Sequence, residues 1–255
     1  MKEIVKKLPQ YDYIYLGDNA RAPYGSRSFE TVYEYTLECV KQLFDMGCPL
    51  VLLACNTASA KALRSIQQKD LPLLAPEKRV LGVIRPTTEV VGKHSKTGHV
   101  GIFGTLGTVV SESYPIEIAK FYPELKVQQE ACPMWVPIVE NNEFESEGAD
   151  YYIRKNIENL LSKDPQIDTI ILGCTHYPLL IRKIKKYLPA GITLLSQGDI
   201  VPESLGDYLE RHSEIEQKIT KGNSIDFYTT DSAENFDRSA SVFFGKDVKS
   251  KHLAL

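Results

Sequence analysis

The sequence predicts an α/β protein built on parallel β-sheets. Short apolar runs alternate with longer segments of helical periodicity along nearly the whole chain, which is the pattern of successive βα units. Several runs, TIILG above all, consist almost entirely of β-branched and aliphatic residues, as in strands buried on both faces. Roughly eight strands fit either one (β/α)₈ barrel or two smaller doubly wound sheets, and the pattern leaves both architectures open.

The first part of the chain supplies three strands and the helices between them. KEIVKKL has the composition of a helix end, YDYIYLG is a strand, and DNARAPYGSRS is a turn-rich loop. The next helix places four residues on one face and ends at Gly47: Val32, Thr36, Val40 and Leu43. The strand PLVLLA, a helix after it, an exposed stretch from Gln67 to Lys78 and the strand RVLGVI follow.

The same alternation continues to the end of the chain. Pro86 opens a helical segment, and the strands HVGIFG and KVQQEA come after it. The loop VENNEFESEG and the helix ADYYIRKNIENLLSK precede the strand TIILG. The last elements are the strand ITLLSQG, a helix from Pro202 to His212, the strand SIDFYTT and a helix from Ala233 to Phe244. We expect the polar tail KDVKSKHLAL to be frayed.

Composition limits the class of protein. The chain has 255 residues and a formal net charge of −3 at pH 7, which argues against nucleic acid as the main partner. No apolar run approaches the length of a membrane span, and MKEIVKKLPQ does not resemble a signal peptide, so we expect a cytoplasmic protein without membrane partners. The 5 cysteines show no CxxC spacing, which disfavours a disulfide framework or a zinc site.

Two cysteines occupy matching positions at the ends of predicted strands. Cys174 follows the strand TIILG, with Thr175 and His176 directly after it and a helix predicted to begin at Pro178. Cys55 has the same layout in VLLACNTASAKAL. Ligands of open α/β sheets bind at the carboxyl ends of strands, and helix N-termini favour thiolates. We therefore expect one site that carries two thiols.

Two thiols suit the inversion of a stereocentre next to a carboxylate. One group removes a proton from one face of the carbon while the other supplies a proton to the opposite face, and the roles exchange in the reverse reaction. A thiol with an ordinary pKa of about 8.5 reaches both protonation states near neutral pH. Amides and hydroxyls around Asn56, Thr57 and Thr175 would hold the substrate carboxylate and the developing negative charge.

Other roles for these residues stay open at this point. Free cysteines are often buried, and three of them fit the core: Cys39, Cys48 and Cys132. Asp18, Arg21 and Tyr24 are also compatible with ordinary turn chemistry. A thiol hydrolase would use Cys174 as nucleophile and His176 as base, although residues so close on one turn rarely aim at each other. An amino-acid-binding protein without catalysis is a third alternative.

Motifs along most of the chain, from about Tyr11 to Gly245, resemble those of the glutamate racemases in the aspartate/glutamate racemase superfamily. In order, they are GDNARAPYG, ACNTASA, GTLGTVVSESY, CPMWVPIVE and GCTHYPLL. The resemblance implies cofactor-independent, two-base racemisation of L- and D-glutamate without a metal, supplying D-glutamate for peptidoglycan. It also implies that the protein forms a homodimer.

Matched motif by motif, the resemblance makes Cys55 and Cys174 the two proton donors and acceptors. It implies that the substrate is lined by Tyr24 and Gly25 of PYG, Asn56 and Thr57 of CNT, and Thr175 and His176 of CTH. Further members of the site would be Pro23, Thr105, Thr108 and Glu140. The implied fold is two similar doubly wound parallel-sheet domains with the active site in the cleft between them. We expect residues 1–85 and 200–245 in the first domain, 86–199 in the second, and a tail at 246–255.

Two departures from the family pattern bear on the first domain. Relatives usually begin earlier, with a strand and an FDSGxGG motif whose aspartate assists the first cysteine, and MKEIVKKLPQ aligns with the end of the helix that follows. We expect that, without this strand, ladder groups between YDYIYLG and PLVLLA stay unpaired and activity is weakened. The second departure is LLSQG, where the family often has an aspartate-serine pair near the domain hinge.

Overall fold

The computed structural model covers residues 1–255, in which helices alternate with parallel strands. The first half contains α1 (Lys2–Lys7), β1 (Tyr13–Gly17), α2 (Phe29–Asp45), β2 (Leu50–Leu53), α3 (Asn56–Lys61), α4 (Leu63–Ser65), α5 (Leu71–Leu74), β3 (Arg79–Gly82), α6 (Ile84–Val90), β4 (His99–Gly104), α7 (Leu106–Val110) and α8 (Ser113–Phe121). The second half contains β5 (Lys126–Ala131), α9 (Trp135–Glu140), α10 (Glu147–Lys163), β6 (Thr169–Gly173), α11 (Ile181–Tyr187), β7 (Thr193–Leu195), α12 (Gln197–Arg211), α13 (Ser213–Glu216), β8 (Ile225–Thr229), α14 (Ala233–Phe244) and β9 (Ser250–His252).

One parallel sheet of four strands, in the order β5-β4-β6-β7, is formed by the middle of the chain. All residues of β4 and β6 are buried, as the continuous apolar run TIILG predicts for a strand covered on both faces. Gly104, the last residue of β4, lies opposite Ala131 of β5 and Gly173 of β6. The residues that follow these three strand ends therefore emerge at the same edge of the sheet.

The remaining strands form two further parallel sheets, β1-β8-β9 and β2-β3. The pairing of β1 with β8 joins residues from both ends of the sequence, as the resemblance implies for the first domain. β1 has β8 as its only strand partner, and β2 has only β3. No ladder joins β1 to β2, which agrees with the unpaired ladder groups expected between these two strands.

The strands form open sheets, so the protein has the two-domain α/β architecture rather than a closed barrel. The chain passes from the first set of strands to the second between β3 and β4, and returns between β7 and β8. The numerical domain boundaries given above stay a prediction. No helix combines the length and the apolar character that crossing a membrane requires.

The largest hydrophobic cluster lies between the four-stranded sheet and the helices α9 and α10. Its centre is aromatic: the ring of Trp135 lies 4.9 Å from that of Phe103 and 4.8 Å from that of Tyr177. All three side chains are fully buried. Because such rings bury large apolar areas, this packing fixes the sheet edge from which Cys174 emerges.

Helix α2 shows how the local sequence determines an element. Its side chains at four-residue spacing are buried, namely Val32, Thr36, Val40 and Phe44. The sequence prediction had Leu43 in place of Phe44 on this face; Leu43 is only partly buried. Ser28 accepts a hydrogen bond from the Thr31 amide at the N-terminus, and Gly47 takes a positive φ of 92° after the last turn.

Two predictions for the C-terminal part of the chain are wrong, namely the start of one helix and the fraying of the tail. Helix α12 begins at Gln197 rather than Pro202, because the Ser196 side chain caps it by accepting from the Gly198 amide. Pro202 lies inside the helix, where it removes one backbone hydrogen bond without ending the helix. The tail is not frayed: β9 pairs in parallel with β8, and Leu253 donates a backbone hydrogen bond of 2.9 Å to Thr229. An edge strand of polar residues is held by its backbone hydrogen bonds, so the hydrophobic pattern of the sequence does not predict it.

Candidate active site

Cys55 lies directly beyond the carboxyl end of β2 and is the N-cap residue of α3. The strand end is held by Ser59, whose hydroxyl donates to the Leu53 carbonyl at 2.9 Å and accepts from the Val83 amide at 3.3 Å. The thiol is partly buried. Both features agree with the predicted strand-to-helix position of this cysteine.

Cys174 lies at the carboxyl end of β6 and is 7% exposed. The preceding residue must be small: a Cβ on Gly173 would lie 2.9 Å from the Phe103 carbonyl oxygen and 3.1 Å from the Tyr114 ring. The predicted α-helix N-terminus at this thiol is absent. A 3₁₀ segment, Tyr177–Leu180, intervenes before α11 begins at Ile181, so an α-helix dipole does not act directly on Cys174.

His176 takes the place of that dipole as the charged partner of the second thiol. Its Nδ1 lies 3.7 Å from Cys174 Sγ, and its Nε2 contacts the carboxylate of Glu140 at the end of α9. Burial alone would lower the pKa of His176, but hydrogen bonds and negative charge from Cys174 and Glu140 raise it to about 10. The hydrogen bond from His176 lowers the pKa of Glu140. The geometry thus aligns a thiol, an imidazolium and a carboxylate.

The Tyr114 side chain links the two strand ends that carry the cysteines. Its hydroxyl donates at 2.8 Å to Asn56, the residue after Cys55, and its ring would lie 3.1 Å from a Cβ on Gly173, the residue before Cys174. Burial raises the pKa of the Cys55 thiol, and nearby backbone amides act in the opposite direction. The residues next to the two thiols therefore adjoin the same side chain.

Three threonine hydroxyls connect the Cys55 loop to the loop after β4. Thr57 Oγ1 lies 2.9 Å from Thr105 Oγ1 and 3.4 Å from Thr108 Oγ1, and the last two are 3.1 Å apart. All three side chains are buried. Thr105 also caps α7 by accepting from the Thr108 amide at 3.2 Å. The sequence predicted these residues as members of the site, and they form one cluster behind Cys55.

The loop that carries Tyr24 and Gly25 is held from both sides. Arg21 Nε donates to both carboxylate oxygens of Asp18, at 2.8 and 2.9 Å, and the Tyr24 hydroxyl donates to the same carboxylate. On the other side, the Gly107 amide donates to the Gly25 carbonyl at 2.8 Å. Ordinary turn chemistry does not account for this bifurcated, charge-assisted contact, which holds the carboxylate that accepts from Tyr24. The neighbouring Pro23 is exposed.

The side chain of Asn56 is turned into the protein and is 2% exposed. Its Nδ2 donates to Gln197 Oε1 at 2.7 Å, and its Oδ1 accepts from the Tyr114 hydroxyl at 2.8 Å. Neither Gln197 nor Tyr114 was predicted as part of the site. The only sequence signal was the position of LLSQG near the hinge, since no periodicity marks a lone buried glutamine.

The other predicted residues divide into exposed and structural ones. Thr175 is exposed beside Cys174, where its hydroxyl can reach a ligand. Cys132 is fully buried, and its Sγ lies 3.6 Å from the Glu130 carbonyl oxygen. Cys39 and Cys48 are partly buried, and Arg21 Nη2 lies 3.6 Å from Cys39 Sγ. Burial raises the pKa of all three of these thiols, as it does for Cys55.

Open parallel sheets in two domains, with a cysteine at the carboxyl edge of a sheet in each, define the class of two-domain α/β racemases. The chain belongs to the Asp/Glu/Hydantoin racemase family, whose profile matches residues 1–201. It is 38% identical over 255 residues to the glutamate racemase of Bacillus cereus, covering 100% of this chain and 91% of that relative.

Solved structures give the same family. The structure resembles a glutamate racemase isoform of Bacillus anthracis with a TM-score of 0.89 at 33% identity, covering 99% of this chain and 91% of the other. It resembles the glutamate racemase of Francisella tularensis in complex with D-glutamate with a TM-score of 0.86 at 27% identity, covering 100% and 91%. The protein is thus an isomerase of the racemase type.

Proposed function

We propose that this protein interconverts L- and D-glutamate without a cofactor, using Cys55 and Cys174 as the two acid/base groups. The observation that carries the proposal is the position of two thiols at the carboxyl ends of strands in different sheets, with the Tyr114 side chain between the residues next to them. The choice of glutamate rests on the relatives, which include a racemase solved with D-glutamate. We also infer that the D-glutamate is used for peptidoglycan synthesis.

Each direction of the reaction uses one thiolate and one thiol. The thiolate takes the α-hydrogen as a proton, and the electron pair of the broken C–H bond delocalises into the carboxylate as an enolate-like species. The opposite thiol then donates its proton to the other face of the carbon, so the product enantiomer leaves with the two sulfur protonation states exchanged. No net oxidation, reduction or water is needed.

The surrounding residues have separate tasks in this mechanism. Imidazolium at His176, stabilised by Glu140, attracts negative charge on Cys174 Sγ. Hydroxyl and amide groups then contact the amino acid itself, and the residues we assign to this role are Tyr24, Gly25, Asn56, Thr57 and Thr175. Thr105 and Thr108 act through Thr57, to which their hydroxyls are hydrogen-bonded.

A thiol hydrolase is the second candidate, and one observation favours it. Cys174 and His176 do face each other, with 3.7 Å between Sγ and Nδ1, so the sequence-based objection to their mutual orientation is wrong. Glu140 completes a row like the nucleophile-base-acid arrangement of cysteine hydrolases. We favour racemisation because that row gives Cys55 no role and because the chain belongs to a racemase family.

Hydrogen exchange at the α-carbon separates the candidates. The full chain is incubated with L- or D-glutamate in deuterated water without added cofactor, and NMR follows loss of the α-proton while circular dichroism follows optical inversion. The proposal predicts both signals from either enantiomer, with aspartate as the comparison substrate. A hydrolase or a simple binding protein gives neither signal, and that result would overturn the proposal. Assembly as a homodimer and location in the cytoplasm also stay predictions, the first measurable by sedimentation.

A further inference from the structure

Gln197 is a buried amide at the point where the chain returns from the second set of strands. It is the first residue of α12, directly after β7 and the capping residue Ser196. Its side chain is 7% exposed, and the proposed mechanism gives it no role. A buried primary amide loses favourable hydration unless its donors and acceptor are paired, so its partners define what it does.

The partners of Gln197 come from three separate segments. Its Nε2 lies 2.9 Å from Asn56 Oδ1, 2.8 Å from the Val83 carbonyl oxygen and 3.0 Å from the Tyr114 hydroxyl. Its Oε1 accepts from Asn56 Nδ2 at 2.7 Å. The two side-chain amides therefore form a reciprocal pair, and Tyr114 donates to the same Asn56 oxygen at 2.8 Å.

These contacts connect the first cysteine to both segments in which the chain passes from one set of strands to the other. Val83 is the N-cap of α6, at the outward passage, and Gln197 stands at the return passage. Asn56 is the residue immediately after Cys55 and the first of α3. With two bonds to Gln197 and one from Tyr114, the Asn56 side chain has one amide hydrogen left for another partner.

We propose that Gln197 is a positioning residue for the first acid/base group: its amide fixes Asn56, and through it the Cys55 thiol, relative to the second domain. This inference deepens the proposed racemase function and rests on it. A glutamine is needed because the site uses both a donor and an acceptor. Glutamate lacks the Nε2 hydrogens, methionine lacks both functions, and asparagine is one methylene too short to reach Asn56 from α12.

The test compares Gln197→Met, Gln197→Glu and Gln197→Asn with a matched control, Gln67→Met. Gln67 also donates from Nε2 to a carbonyl next to this passage, that of Val80, at 2.7 Å, but it contacts no site residue. Misplacement of a reacting group by about 1 Å costs on the order of 10²-fold in rate. We expect kcat to fall about 10- to 100-fold in the Gln197 variants, and KM for glutamate to rise as well because the displaced Asn56 is assigned to substrate binding.

Two measurements distinguish positioning from loss of folded protein. The first is the primary deuterium isotope effect with α-deuterated L- and D-glutamate: misplacing only Cys55 changes it for one enantiomer more than for the other. The second is the alkylation rate of each cysteine by iodoacetamide, followed by peptide mass spectrometry. The Gln197 variants should change the rate at Cys55 at least about 3-fold, since thiol reactivity follows its local environment, and leave Cys174 unchanged.

Each outcome decides the inference. The inference would be overturned if the Gln197 variants changed the isotope effects of L- and D-glutamate equally. It would also be overturned if their activity only followed the fraction of folded protein, or if the alkylation rate of Cys55 did not change. If Gln197→Met does not fold, Tyr114→Phe removes a single hydroxyl from the same group and gives the same comparison. Alkylation needs no turnover, so a chain that fails to racemise glutamate overturns the proposed function while the labelling pattern still reports on Gln197.

Discussion

His176 Nδ1 lies 3.7 Å from Cys174 Sγ, while the opposite ring nitrogen of the same imidazole contacts Glu140. The imidazole of His176 thus links the second thiol to a carboxylate at the end of helix α9. Since the pKa of His176 is raised to about 10, the imidazolium persists across the neutral range. The second thiol works beside a positive charge, whereas the groups that favour the thiolate at Cys55 are the Ala58 and Thr57 amides and the Thr57 hydroxyl.

The first prediction concerns the pH dependence of stability. The pKa of His176 rises from 6.5 to about 10 on folding, so its contribution to stability is full below pH 6.5 and is lost as the pH rises towards 10. The pKa of Glu140 falls below its ordinary 4.5, so its contribution is full above pH 4.5. In thermal unfolding, the Tm of His176→Gln should lie furthest below that of wild type between pH 4.5 and pH 6.5. The difference should shrink as the pH rises towards 10.

His212→Gln is the matched control for this experiment. His212 also approaches a carboxylate, with Nδ1 3.3 Å from Glu214, but it lies outside the site. Its pH profile of Tm gives the effect of replacing a surface histidine, and the difference between the two variants isolates the contribution of the contacts of His176 with Cys174 and Glu140. A deficit of His176→Gln that grows with pH would contradict the assignment of His176 as an imidazolium.

The second prediction concerns the two thiols. Cys55→Ser and Cys174→Ser should each lower racemisation in both directions by about 10³-fold or more, because each face of the carbon needs its own proton carrier. Initial rates from L- and D-glutamate measure this directly. Full activity in either variant would remove the two-base mechanism.

Cys39→Ala and Cys48→Ala are the controls for the serine variants. Both residues are partly buried and neither has a role in proton transfer, so we expect about 1 kcal/mol loss of stability and unchanged kinetics. Glutamate should slow alkylation at Cys55 or Cys174. Protection centred instead on Cys132 would show that the wrong thiol was assigned.

Much of the fold follows from periodicity in the sequence. The helix from Ala233 to Phe244 was predicted with the bounds that the structure has, and the fully buried strand β6 matches its apolar run. Pairing order was less accessible, because β1 joins β8 across most of the chain and local pattern carries no information about that contact. Only the resemblance to known racemases implied that the C-terminal segment belongs with the first domain.

The candidate site was predictable where chemistry and motif coincide. Cys55 and Cys174 stand out because each follows an apolar strand in a similar motif, and the structure has both at strand ends. Gln197 was not predicted because its partners are distant in sequence, and no spacing rule connects it to Asn56. The orientation of His176 towards Cys174 depends on the 3₁₀ turn after the strand, which replaces the predicted helix start.

The third prediction concerns the threonine cluster. Thr105→Val keeps the shape of the side chain but removes the oxygen that caps α7 and contacts Thr57. We expect a loss of about 1–2 kcal/mol in stability and a fall in activity, because Thr57 then keeps only its longer contact of 3.4 Å with Thr108. Denaturant unfolding and initial rates report the two effects. Thr105→Ser, which keeps the oxygen, should restore most of both.

Ser146→Ala separates capping from catalysis in this experiment. Ser146 caps α10 by accepting from the Ala149 amide at 3.2 Å, in the same way that Thr105 caps α7. Its loss should cost about 1 kcal/mol in stability with unchanged kinetics. Equal activity losses in Thr105→Val and Ser146→Ala would show that the threonine cluster has no part in the site.

The fourth prediction concerns the space beside Cys174. Alanine at Gly173 would place its Cβ 2.9 Å from the Phe103 carbonyl oxygen, which is rigid strand backbone, and 3.1 Å from the Tyr114 ring. We expect Gly173→Ala to cost about 1–3 kcal/mol and to lower activity, because Tyr114 must move away from Asn56. Gly148→Ala in α10 is the control: its Cβ meets nothing closer than 3.6 Å, so stability should be equal or slightly higher.

The last prediction concerns the C-terminal strand β9, which the sequence suggested would be frayed. Removing residues 250–255 deletes the ladder to β8 and leaves the Thr229 carbonyl without its 2.9 Å bond from Leu253. At about 1 kcal/mol for each hydrogen bond, we expect a loss of about 2–3 kcal/mol. Removing only residues 254–255 keeps the ladder and should leave Tm unchanged.

Removing residues 250–255 should also affect the loop that carries Tyr24 and Gly25. Thr230 directly follows β8, and its hydroxyl donates at 2.9 Å to Asp18, the carboxylate that also accepts from Tyr24. A loosened β8 should therefore raise KM for glutamate about 2- to 10-fold while kcat changes less, because Tyr24 is assigned to binding rather than proton transfer. Steady-state kinetics of the two truncated chains measure this split. Identical Tm and KM in both would mean that β9 does not hold β8 in solution.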